Sequence, residues 1–191
     1  MSTCLVGSEM CIRDSSTHLG MTYPRDVHFD IETLINDAQP QTILALGDFD
    51  AALFDEYCAQ KNLLQQDCEV LYLPVSECMQ VMQMTQRFDV AVAFNLFEHI
   101  EQQQGMQILA RLRDVVAAQY CICLPLGNPN HLSQWQLTDL FSFALKRVNT
   151  YSTPEAEFSL FKYSIYDYKS TPDWLNPDNW ANPQLWNKFR W

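Results

Sequence analysis

Two histidines and a handful of carboxylates are the residues of this chain best suited to chemistry near neutral pH. His99 follows Glu98 in Asn95-Leu96-Phe97-Glu98-His99-Ile100, and His131 follows Asn128-Pro129-Asn130. If both reach one pocket, they supply a general base and a substrate ligand, since imidazole changes charge near neutrality. The plainer role for each is to cap a helix or bond a backbone carbonyl. Asp48 and Asp50 follow an apolar run, where short carboxylates serve as turn and cap residues more readily than as catalysts. Cys121 and Cys123 are two apart in another apolar run, so they share a strand face and read as core. No Cys-x-x-Cys pair and no histidine cluster at zinc spacing occurs, so no metal site is expected. The five glycines, at 7, 20, 47, 105 and 127, stand alone, which excludes a Gly-rich phosphate loop.

Such residues work only if strands and helices bring them together, and the hydropathy pattern alternates between the two. Residues 28–35 have helical spacing and are halted by Pro40. The apolar runs 42–48, 69–74, 88–94 and 120–125 read as buried strands. Helical patterns separate them at 51–64, with Leu53, Tyr57 and Leu64 inward, at 77–86, and at 101–118, with Ile108, Leu112 and Val115 inward. A helix over 133–145 follows, then extended stretches at 146–151 and 158–168, the second alternating as an antiparallel strand should. Continuously apolar strands separated by helices predict an α/β fold: a doubly wound, mostly parallel sheet closed by an antiparallel pair. Ligands of such sheets sit at the carboxyl ends of the strands. That singles out Gly47-Asp48, Pro74 to Glu77, Asn95 to His99, and Leu126 to His131.

At 191 residues and 22.2 kDa, 48% of them hydrophobic, the chain suits one domain with a substantial core. Its formal net charge of −11 repels phosphate backbones and anionic lipid, so neither nucleic acid nor a membrane surface is expected as partner. No run reaches the ~18 apolar residues of a membrane span. The domain is expected over 21–170. Residues 1–20 form a tail; within them, 1–15 have neither period nor signal-peptide character and resemble translated adapter read-through, which places the true start near Met21. Cysteines without a secretion signal fit the cytoplasm. Residues 171–191 hold four of the five tryptophans, with Asn176-Pro177-Asp178-Asn179-Trp180 followed by Asn182-Pro183-Gln184-Leu185-Trp186. Those rings must bury against something, either this chain's own core or sheet edge or a partner or homodimer surface.

The strand-end residues resemble those of the class I S-adenosylmethionine (SAM)-dependent methyltransferases over roughly residues 28–168. Residues 87–100, through Leu96-Phe97-Glu98-His99-Ile100, resemble that family's fourth strand and its ending. Residues 128–140 resemble the segment after its fifth strand. The resemblance implies a Rossmann-like fold with SAM as cofactor, and Leu46, Gly47, Asp48, Glu77 and Asn95 as cofactor-binding positions. It also implies a Gly-rich turn after the first strand, where this chain keeps Gly47 alone and places Phe49 in space the family leaves free. Between Gly47 and Phe88 there is room for one strand where the family has two, so one β-α unit is missing. The ribose-binding acid that ends the family's second strand goes with it, unless Glu77 substitutes. Two functions stay open: a binding or interaction module without a competent SAM site, or a small-molecule methyltransferase with an atypical cofactor turn.

Overall fold

The structure, a computed structural model, describes residues 24–48, 52–126, 135–154, 156–167 and 188. Helix α1 (Arg25–Ala38) ends where Gln39 turns left-handed, ahead of Pro40. Strand β1 (Thr42–Gly47), helix α2 (Ala52–Leu63) and strand β2 (Glu69–Leu73) follow, then a 3-10 helix over Val75–Gln83. Strand β3 (Phe88–Phe94) leads through a turn to helix α3 (Gln102–Arg111), which widens into a π-helical turn over Leu112–Val116. Strand β4 (Ala117–Leu126), helix α4 (Leu137–Ser142), strand β5 (Lys146–Ser152) and strand β6 (Glu157–Ser164) complete it.

One six-stranded sheet has the order β2-β1-β3-β4-β6-β5. The first four strands are parallel, and β6 runs antiparallel to both β4 and β5. This is the doubly wound, mostly parallel sheet that the apolar pattern predicted, closed by its antiparallel pair. Only β2 lies in the chain between β1 and β3, so the sheet is one β-α unit short on that side and β2 is its edge.

The two faces of each buried strand feed separate cores. Leu44, Leu46, Ala91, Ala93, Ile122 and Leu124 pack with the 3-10 helix, α3, α4 and Trp135. Ile43, Ala45, Val90, Val92, Cys121 and Cys123 pack under α1 and α2, through Val27, Ile31, Ile35 and Phe54. Each fully buried large apolar side chain contributes about 2–3 kcal/mol. At the amino ends of the strands, Asp89 of β3 accepts hydrogen bonds from the Gln41 and Thr42 amides and the Thr42 hydroxyl. Its partial burial pushes the carboxyl up, but those bonds outweigh it and hold the group below its usual range.

Several expected boundaries move. The helix expected over 101–118 is α-helical to Arg111 and π-helical to Val116, and β4 starts at Ala117 rather than 120, because Phe88 pairs with Ala117 in the ladder. The 77–86 helix is a 3-10 helix that begins at Val75. The last helix runs over Leu137–Ser142 among the described residues rather than 133–145. The final strand ends at Ser164 rather than 168. Leu64 does not face inward with Leu53 and Tyr57; it lies past the end of α2 and is exposed. Nor is β2 fully covered: Leu71 and Tyr72 are exposed because β2 is the edge strand of the sheet among the described residues, although the Tyr72 ring meets Phe54 of α2 edge-on.

Candidate functional site

Strand order reverses between β1 and β3, since the chain passes from β1 outward to β2 and returns to β3 on the other side. A crevice is expected outside the carboxyl ends of the strands at that point. A cleft of about 480 Å³ lies there, lined by Gly47, Asp48, Pro74, Val75, Ser76 and His99. These residues come from the ends of β1 and β2 and from the turn after β3. Proline, valine and glycine give it apolar walls. Asp48, Ser76 and His99 add a carboxylate, a hydroxyl and an imidazole. A second depression, of about 300 Å³, sits at the opposite end of the sheet between Leu34, Tyr120 and Tyr163.

Gly47 is required by its neighbours. Its φ is +113°, and a Cβ there would sit 2.0 Å from the Phe94 carbonyl oxygen and 3.2 Å from Leu96 Cβ. That oxygen accepts the Asp48 amide at 3.3 Å. The single glycine thus lets β1 end flush against β3, which fixes the cleft's floor. Asn95, just past β3, also has a left-handed backbone, with φ of 49°, which asparagine tolerates better than most residues. That bend allows the Asn95 Oδ1 to meet His99 Nε2 at 3.2 Å, while the His99 amide donates to the Leu96 carbonyl at 3.1 Å. His99 is therefore held at the cleft with its ring exposed.

Of the expected cofactor-binding positions, the cleft is lined by Gly47 and Asp48, and Asn95 stands behind it through His99. The Leu46 side chain is fully buried in the core. Glu77 is exposed, accepts a hydrogen bond from Gln80 at 3.0 Å, and is not among the cleft's lining residues. Where β2 ends, Leu73 is buried and Pro74, Val75 and Ser76 line the wall. His131, Phe49, Asp50 and the Trp-rich segment lie outside the described residues, apart from Lys188. No cluster of three or more potential metal ligands occurs among the described residues, and none of their helices is long and apolar enough to cross a membrane.

One acidic group stands out that the sequence named only as the neighbour of His99. Glu98 is 8% exposed, and its two carboxylate oxygens have no hydrogen-bond partner among the described residues. Burial raises it to about 7, with its own backbone amide opposing the shift. It lies near enough to Cys123 of β4 to add to the burial that raises that thiol. An acid held near neutrality can keep or release a proton at working pH. The sequence signal was a lone acid inside the apolar run Leu96-Phe97-Glu98-His99-Ile100.

Residues 25–191 match a family described as "Family of unknown function (DUF6231)". No curated protein matches the sequence. Similar solved structures include magnesium protoporphyrin IX methyltransferase from Synechocystis PCC 6803 with bound SAH. It is 8% identical, with a TM-score of 0.47, over 72% of this chain and 81% of that one. The 1,6-didemethyltoxoflavin-N1-methyltransferase of Burkholderia thailandensis is 15% identical, with a TM-score of 0.45, over 71% and 76%. TehB from Haemophilus influenzae is 8% identical, with a TM-score of 0.46, over 74% and 62%.

Proposed function

The chain belongs to this family of unknown function, and we propose that it is a methyltransferase-like domain acting as a small-molecule binding module, without a competent SAM site. The cleft at the ends of β1 and β2 is the binding site. The observation that carries the reading is the end of β2. SAM needs an acid there for its ribose hydroxyls, and this chain offers Pro74, Val75 and Ser76, with Glu77 turned to Gln80. Gly47 is accounted for by its contact with Phe94 and speaks for strand packing rather than for a cofactor. A ligand suited to these walls has an apolar body and one donor or cationic group for Asp48, with Ser76 and His99 able to fix its orientation. The reading predicts that a neutral apolar dye such as Nile red brightens on binding the full chain, and that Ser76→Trp, which fills the cleft, removes the signal while the circular dichroism is unchanged. Undiminished binding by the Trp variant would place the site elsewhere.

A methyltransferase with an atypical turn is the second reading, and His99, exposed at the cleft beside Gly47 and Asp48, is the observation that favours it. In that case Asp48 and the Gly47 backbone would face the cofactor, and His99 would take the acceptor's proton. His131 and a homodimer through the tryptophans remain parts of the proposal to be tested by substitution and by measuring oligomeric state.

A further inference from the structure

At the opposite end of the sheet from the cleft, two thiols meet. Cys58, on the second turn of α2, and Cys68, immediately before β2, place their sulfurs 3.4 Å apart, and both residues are only half-buried. Neither forms part of the cleft. Their surroundings hold them in place: Tyr57 donates to the Pro40 carbonyl at 2.8 Å, and the buried Lys61 ammonium donates to Gln39 and Gln66 at 2.7 and 3.0 Å. Burial pushes the Cys68 thiol up to about 12, the contact with Cys58 adds to this, and Lys61 opposes it. Cys68 therefore rests as a thiol at neutral pH.

We propose that Cys58 and Cys68 are a modification site, a vicinal dithiol that a peroxide converts to an intramolecular disulfide. A disulfide needs the sulfurs to approach to about 2.05 Å, a short closure for two side chains already in contact. One thiolate attacks the peroxide O–O bond, giving a sulfenic acid and releasing water once the leaving oxygen is protonated. The second thiol then displaces water from the sulfenic sulfur and the S–S bond forms. The two sulfurs together lose two electrons, and the peroxide is reduced to two waters. The link ties α2 to the start of β2. The far end of β2 leads into Pro74, Val75 and Ser76 of the cleft wall.

The test uses the full chain, treated with hydrogen peroxide, alkylated, cleaved with trypsin and mapped by mass without reduction. Trypsin cuts after Lys61, so the bond appears as two joined peptides, two hydrogens lighter than their sum and released by dithiothreitol. Cys68→Ser should abolish that species and leave Cys58 as a sulfenic or sulfinic acid. Recovery of both residues as alkylated thiols, their separate over-oxidation, or their linkage to other cysteines would overturn the assignment.

Discussion

Replacing Glu98 by glutamine should make the protein more stable at neutral pH and remove part of its pH dependence. In the folded chain the carboxyl stands at about 7, against an ordinary value of 4.5, because it is buried without a hydrogen-bond partner among the described residues. Below the lower value both states are protonated and the group has no effect. Between the two values the unfolded chain releases a proton that the folded one keeps, so stability falls as pH rises through this window. Above about 7 the loss is complete and constant. The gap corresponds to about 3 kcal/mol, a large part of the roughly 5–15 kcal/mol that holds a domain folded. Glutamine has the same shape, cannot ionise, and leaves an unpaired polar group comparable to that of the neutral acid. Urea unfolding of wild type and Glu98→Gln at about pH 4.5 and about pH 8 checks this. The curves should nearly coincide at the lower pH, and at the higher one the variant should gain about 2–3 kcal/mol. Parallel behaviour at both would show that Glu98 has a partner or meets solvent.

Two other substitutions test the packing that shapes the site. Gly47→Ala forces a Cβ onto the Phe94 carbonyl in a backbone region hostile to side chains and should cost about 2–6 kcal/mol; an unchanged denaturant midpoint would remove the close approach. Gly105→Ala puts a Cβ 2.6 Å from Trp135 Cζ2 and 3.1 Å from Phe97 Cδ1. The helix gains about 1 kcal/mol and the crowding costs about 1–3. The net should be a small destabilisation with altered tryptophan emission, and a purely stabilised variant with unaltered emission would contradict the Trp135 placement.

Where burial on both faces made the apolar run continuous, the sequence read true. Residues 88–94 were legible as β3 to the residue, and β1 to within one. The α3–β4 junction was not, because Val115-Val116-Ala117-Ala118 fits a helical stripe and a strand alike; the pairing of Phe88 with Ala117 decides it. The exposure of β2 was hidden because apolar content does not tell an edge strand from a central one. At the site, the strand-end rule located Gly47, Asp48, Ser76 and His99. It could not show that Glu77 bonds Gln80 or that Leu46 points into the core, since both depend on local side-chain direction. The burial of Glu98 was not legible, because it arises from tertiary packing around a turn.

The proposed function requires that the cleft at the ends of β1 and β2 not bind SAM. Calorimetric titration of the full, folded chain with SAM and with S-adenosylhomocysteine addresses it directly. Neither ligand should give saturable heat up to millimolar concentration. A one-to-one isotherm at micromolar concentration, weakened by Asp48→Asn, would contradict it and establish the cleft as a cofactor site.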